Sequence, residues 1–249
     1  MTDRVVVITG ASRGIGRAAA IAAAELGFRV VVGYASNQAA ADEVVDQIER
    51  KNGKAIAVKC DVAHEKDILA LFKAADGFGT LGALVNNAGI VGKSGVRVDE
   101  MSAERIQEMM AINVTGAILC AREAVKRMST KHGGKGGVIV NISSVAARLG
   151  APNTYVDYAA SKGAIDTLTV GLGYEVAAEG VRVAGIRPGL IDTEIHAAGG
   201  EPDRAHRLAH MVPMKRVGQA DEIANTIVWL MSDEASYVTS TTIDVSGGR

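Results

Sequence analysis

The segment that most limits the fold lies near the amino end. Val5-Val6-Val7-Ile8 runs directly into Thr9-Gly10-Ala11-Ser12-Arg13-Gly14-Ile15-Gly16, which opens at once onto an alanine-rich stretch of helical character. A continuous β-branched run suits a strand buried on both faces. Glycines spaced G-x-x-x-G-x-G permit a tight turn and close backbone approach, and the helix that follows aims its first amides at an anion held there. Strand, turn and helix together read as a phosphate-binding unit of an open α/β sheet. A plain strand-to-helix turn is the alternative these residues alone leave open.

The same alternation continues along the chain. Strands are predicted at Val5 to Thr9, Arg29 to Gly33, Ala55 to Lys59, Ala83 to Asn86, Val138 to Ile142, Arg182 to Ile186 and Thr242 to Val245. Helices are predicted at Ile15 to Leu26, Ala39 to Arg50, Glu65 to Ala75, Ala103 to Met128, Tyr155 to Ala178 and Asp221 to Met231, with Gly27, Gly53 and Gly180 at their ends. This order predicts one doubly wound, Rossmann-like parallel sheet of about seven strands covered on both faces, a single domain over residues 1–249. With 48% hydrophobic residues, 29 Gly and only 4 Pro, the chain can bury a large core and has no linker-like segment. The strandless span 190–217 carries Gly199-Gly200, Pro202, Pro213 and a short helical pattern, and is expected to be a mobile substrate lid.

A formal net charge of -1 provides no basic field for nucleic acid or an anionic membrane, so a small molecule is the expected partner. Cys60 and Cys120 lack metal-type spacing and read as reduced core thiols. Met1 to Arg4 and the strand after it lack the features of a secretory leader, which makes cytoplasmic residence the default.

NAD-binding sheets of this kind place a carboxylate at the end of the second strand. Here that position is Gly33, Tyr34 or Ala35, and no acid follows before Asp42. Arg13 stands inside the glycine turn, where a guanidinium can reach a 2′-phosphate, and Ser36 and Asn37 add donors. NADPH is therefore expected over NADH, with NADH possible; a solvated turn cation is the other reading of Arg13. On this reading Tyr34→Asp shifts preference toward NADH.

Carbonyl reduction needs a hydride donor and an acid that protonates the developing alkoxide. Tyr158-Ala-Ala-Ser-Lys162 places a phenol and an ammonium one helical turn apart, and of the 5 tyrosines only this one has lysine four residues on. A cation about 4 Å away favours a phenolate by ~4 kcal/mol at an effective dielectric of 20, roughly three pKa units at most. A surface Tyr-Lys pair is the alternative for the motif in isolation.

The glycine turn, Asp61-Val62, Asn86-Asn87-Ala88-Gly89, Ser143-Ser144 and the Tyr158-Lys162 pair together resemble the compact branch of the short-chain dehydrogenase/reductase family. The likeness runs from Val5 to Gly248 and includes 3-oxoacyl reductase-like and glucose dehydrogenase-like members. The resemblance implies that Gly10, Ser12, Arg13, Gly14, Ile15 and Gly16 hold the cofactor phosphates. It implies that Tyr34, Ala35, Ser36 and Asn37 flank the adenosine ribose, Asp61 and Val62 the adenine, and Asn86, Ala88 and Gly89 the nicotinamide ribose. Pro188, Gly189, Ile191 and Thr193 would follow the carboxamide and a phosphate. In the same way Ser144 would orient the substrate oxygen, with Ser143 as backup, and Tyr158 would transfer the proton. Lys162 would lower the phenol's pKa and bond the ribose, while Asn113 would distort its helix and hold a water against the lysine. A homo-oligomer, dimer or tetramer, is implied as well.

Several positions depart from the family pattern: Ala184, Ser240 and Ser246 stand where Asn, Gly and Asp are frequent. Tyr174 precedes Glu175-Val176 where carrier-protein reductases often have Arg, which counts against a carrier-bound substrate. His206 and His210 have a spacing that can bind metal, yet no carboxylate or cysteine set completes a site, so no metal is expected. A non-catalytic NADPH sensor is the other functional class, and such proteins usually lose the tyrosine or lysine retained here.

Overall fold

A computed structural model describes residues 3–249; Met1 and Thr2, part of the segment read for a leader, lie outside the described residues. Seven strands, β1 (Arg4–Ile8), β2 (Arg29–Tyr34), β3 (Lys54–Lys59), β4 (Thr80–Asn86), β5 (Gly137–Ile142), β6 (Val181–Pro188) and β7 (Thr241–Val245), form one sheet. Their order is β3-β2-β1-β4-β5-β6-β7, and all neighbours are parallel. The order reverses between β1 and β4, which opens a crevice at the carboxyl ends of those strands. All seven predicted strands are present.

Strand alternation sorts the core into two layers. Val6 and Ile8 of β1 and Val30 and Val32 of β2 face α1 (Gly14–Glu25), α2 (Gln38–Arg50) and the carboxyl-terminal helix, meeting Ala20, Ala23, Val44, Ile48, Ile223 and Ile227. Val5, Val7 and Val31 face the other way, onto Ile68, Leu71 and Phe72 of α3 (Glu65–Phe78) and onto Cys120 and Ala124. Both sides of each strand are buried, which is why the runs read as continuously apolar. Cys60 and Cys120 are free and buried; burial pushes the Cys60 thiol up to about 12, and Cys120 is raised as well, chiefly by burial.

The long helix expected over Ala103 to Met128 is present and carries a π-helical turn within it. α4 (Ala103–Met110) passes through a π-helical turn at Ala111–Thr115 into α5 (Gly116–Met128). A Cβ on Gly116 would come within 2.7 Å of the Val62 carbonyl, so the glycine lets the helix press against the loop after β3. Past α2, Asn52 takes the left-handed conformation (φ 62°) rather than Gly53, whose missing Cβ instead makes room for Ile48.

After β5 come α6 (Ala146–Leu149) and the long α7 (Val156–Val176). The span read as a lid contains two short helices, α8 (Ile195–Ala198) and α9 (Arg204–Arg207), before α10 (Ala220–Met231). Its ends are tied together: the Asp192 amide donates to the Gly218 carbonyl and the Gly218 amide to the Leu190 carbonyl, each at 2.9 Å. No helix among the described residues is long and apolar enough to cross a membrane.

Candidate active site

The glycine turn is held from β4. Asn87 Nδ2 donates to the carbonyls of Thr9 (2.9 Å) and Gly10 (3.0 Å), while the amides of Asn87 and Ala88 donate to Thr9 Oγ1, both at 3.0 Å. Gly10 and Gly14 have φ of 64° and 51°. A Cβ on Gly16 would strike the Gly10 carbonyl and lie 2.5 Å from Asn87 Nδ2. No side chain among the described residues caps the amino end of α1, where Arg13 is the extended N-cap residue. Thr193 Cγ2 lies 3.4 Å from where a Cβ on Gly14 would be. Uncapped amides, a turn without room for side chains and a facing threonine fit a dinucleotide pyrophosphate.

The adenosine side is arranged differently from the expectation in two places. Tyr34 is 7% exposed and its ring belongs to the core beside α2, so a carboxylate there would enter apolar packing. The exposed positions are Ala35, Ser36 and Asn37, and Asn37 Oδ1 is engaged by the Ala40 amide as the cap of α2. Arg13 is exposed beside the turn. Asp61 Oδ1 accepts from the Ala63 amide, and Val62 is buried against α5.

Asn86 also departs from its expected place. Its amide donates to the Ala117 carbonyl (3.1 Å) and to Asn141 Oδ1 (3.0 Å), and Asn141 in turn donates to Thr169 Oγ1 (2.9 Å). These bonds join α5, β4, β5 and α7 through the interior. The side chains that reach the cleft are those of the neighbouring Asn87 and of Ile15, with Gly89 bare between them. Thr9 and Asn87 are the functional residues the sequence reading passed over; both lie inside the motifs quoted, but their mutual hydrogen bonds span strands far apart in sequence.

At the base of the cleft the two serines separate in role. Ser143 Oγ donates to the Lys162 carbonyl (3.1 Å), whereas Ser144 hydrogen-bonds the Tyr158 hydroxyl. Lys162 is 5% exposed; its Nζ donates to the Ile142 carbonyl (2.8 Å) and lies 5.7 Å from the Tyr158 ring centre. Burial lowers the lysine to about 8, opposed by Asp166. The phenol does not show the depression expected from a nearby lysine. Burial raises it to about 12, the Ser144 hydrogen bond opposing and Tyr155 adding to the rise. The ammonium is committed to the Ile142 carbonyl, and desolvation of the phenolate outweighs what remains.

Asn113 sits in the π-helical turn, 1% exposed. Its Oδ1 accepts from the Ile90 amide (2.8 Å), and its Nδ2 donates to the Ile90 carbonyl and to Ser161 Oγ, each at 3.0 Å. A Cβ on Gly89 would meet both Asn113 Oδ1 (3.3 Å) and Lys162 Nζ (3.5 Å), so the bare glycine keeps these groups adjacent.

Ser144, Tyr158, Lys162, Pro188, Gly189, Ile191 and Thr193 all border one cleft of about 560 Å³, which Ile195, His196 and Arg204 of the 190–217 span also line. His196 Nε2 is bonded with the Ile191 carbonyl (3.0 Å), and burial lowers its pKa. His206 pairs with Asp192 (3.4 Å) and His210 with the Arg207 carbonyl (3.0 Å), so these rings have separate partners.

Comparison with known proteins agrees with this geometry. A family described as enoyl-(acyl carrier protein) reductase matches residues 10–249. The chain is 54% identical over 246 residues to the uncharacterized oxidoreductase YgfF of Escherichia coli K12, covering 98% of this chain and 99% of that protein. It is 39% identical over 249 residues to glucose 1-dehydrogenase 2 of Bacillus subtilis, covering 100% and 95%. A solved short-chain dehydrogenase/reductase from Serratia marcescens superimposes with a TM-score of 0.90 at 30% identity, over 98% of this chain and 97% of that one.

Proposed function

The chain belongs to the short-chain dehydrogenase/reductase family of oxidoreductases, and on that premise we propose that it interconverts a carbonyl and a secondary alcohol, preferring NADPH. The observation that carries the reading is the placement of Ser144, Tyr158 and Lys162 at the base of a cleft that also holds Pro188-Gly189 and Thr193 beside the glycine turn.

The dinucleotide supplies the hydride when bound. The protein's residues handle the oxygen and its proton. Ser144, already bonded to the Tyr158 hydroxyl, orients the substrate oxygen toward that phenol. Tyr158, held protonated by burial, donates its proton as the alkoxide develops. The ammonium of Lys162, once turned from the Ile142 carbonyl, stabilises the phenolate and bonds the nicotinamide ribose. A water beside Lys162, near the π-helical turn that holds Asn113, would return the proton, and alcohol oxidation is the reverse path. NADPH preference rests on exposed Arg13 and on Ala35 and Ser36 where an NAD enzyme would carry an acid. The exposed apolar side chains Ile106, Met110 and Ile118 on α4 and α5 support a homo-oligomer, whose mass light scattering reads directly.

The test is absorbance-monitored oxidation of NADPH and of NADH with a panel of ketones, aldehydes, quinones, keto-sugars and oxoacyl thioesters. Tyr158→Phe is expected to lower turnover by about 10²–10⁴-fold, and Arg13→Gln to narrow the NADPH-to-NADH ratio by roughly tenfold or more. Turnover that survives Tyr158→Phe would refute the acid assignment; saturable NADPH binding with no oxidation of any substrate would favour a sensor.

A further inference from the structure

The 190–217 span brings to the cleft a charged side chain that the proposed catalytic step does not use. Arg204, on α9, borders the cleft with only 15% of its side chain exposed. Its guanidinium lies over the Tyr155 ring, 5.1 Å from the ring centre, and Tyr155 meets Tyr158 edge to face at 5.4 Å. The cation therefore stands one aromatic ring away from the reacting phenol. Arg204 Nε is buried and has no hydrogen-bond partner among the described residues. Burying such a donor unpaired is costly, and sites that do so usually await an acceptor.

Glu201 meets Arg204 at Nη1 and leaves the arginine's Nε unpartnered among the described residues. Its carboxylate stands 3.6 Å from Arg204, but it also pairs with Arg207 and accepts a hydrogen bond from Ser94, the largest of the effects that hold it below the usual carboxylate range. A second cation, Arg249, borders the same cleft, and its Nη1 is likewise buried without a partner among the described residues. The charged groups on the cleft are thus Lys162, Arg204 and Arg249 against Glu201 alone, with His196 driven toward its neutral form by burial. Lys162 has its proposed task at the ribose, which leaves Arg204 and Arg249 as the cleft cations that each keep a buried donor without a partner among the described residues. The same cleft is also lined by the apolar side chains of Val91, Leu149 and Ile195.

We propose that the substrate carries a carboxylate, docked on Arg204 and Arg249 while its carbonyl, across a short apolar chain, meets Ser144 and Tyr158. This deepens the oxidoreductase reading and rests on it for the reaction, though not for the anion site. A planar guanidinium matches a carboxylate in two parallel hydrogen bonds, and the stacked Tyr155 fixes its plane. A glucose-like sugar could accept hydrogen bonds from the arginines but would bring no charge to meet them, which favours a carboxylate over a neutral polyol.

The experiment pairs binding with turnover. Short-chain oxo carboxylates, their methyl esters and phosphate monoesters of hydroxyketones are titrated by calorimetry into protein saturated with NADP+. That cofactor state blocks the pyrophosphate site and cannot reduce the ketone. The acids are expected to bind about ten- to hundredfold more tightly than their esters, with the preference falling toward unity in Arg204→Met and partly retained in Arg204→Lys. Retained NADPH binding shows that each variant is folded, and Arg249→Met repeats the test from the other cation. Equal binding of acid and ester, a preference untouched by Arg204→Met, or a preference for the phosphate esters would overturn the proposal. The same compounds are then assayed with NADPH. Arg204-dependent binding of acids without any oxidation would uphold the anion site and reject the reductase reading; turnover of neutral ketones with no acid preference would do the reverse.

Discussion

Tyr158 and Lys162 answer the same burial in opposite directions, because desolvation penalises the charged form of each. The phenol rises to about 12 and the ammonium falls to about 8. Ketone reduction needs the phenol protonated and the lysine charged. Since the phenol stays protonated throughout the neutral range, kcat/KM for reduction is expected to be level at lower pH and to fall as pH rises through about 8. Alcohol oxidation needs the phenolate together with the charged lysine, so its rate is expected to climb with pH up to about 8 and to level off beyond it. A pH profile of both directions on one substrate checks this, and parallel profiles would reject the assigned roles. At this scale the Tyr-x-x-x-Lys spacing was readable because one helical turn sets it. The direction of the phenol's shift was not: it depends on Lys162 Nζ bonding the Ile142 carbonyl across the fold.

At the scale of elements, the turn between β1 and α1 was plain in the sequence, while its support was not. Its glycines announce themselves locally, but Asn87, which braces them, comes from the far end of β4. Gly16→Ala is expected to force the turn against the Gly10 carbonyl and Asn87, costing about 1–3 kcal/mol and lowering Tm by roughly 2–10 °C. The variant should also lose most of its NADPH affinity, read by fluorescence titration; an unchanged affinity would show that the turn does not hold the phosphates. The π-helical turn between α4 and α5 was not marked by periodicity, and only the resemblance put a distortion at Asn113. A π-helical turn adds one residue without disturbing apolar periodicity enough to mark it, and the close approach of Gly116 to Val62 just after it is visible only in three dimensions. Ser240 shows the converse: its φ of 55° favours glycine, the residue frequent in the family at this position, and Gly173 on α7 supplies the space that Ser240 occupies.

Across the whole molecule, the seven strands, the flanking helices and their parallel order were legible in the sequence because hydrophobic runs and periodicities are local properties, and right-handed crossovers leave few ways to wind them. The chemistry was legible where one element carries it, as with Tyr158 and Lys162 on α7. What tertiary structure alone decided are the relations between elements. It committed the Ser143 hydroxyl to the Lys162 carbonyl and set Ser144 on the Tyr158 hydroxyl. It turned Asn86 inward and Asn87 outward, and it placed the Tyr34 ring in the core. It also set Arg204 over Tyr155 at the mouth of the cleft. Each outcome depends on a partner distant along the chain, and burial by that partner determines which way a side chain faces and which proton it keeps.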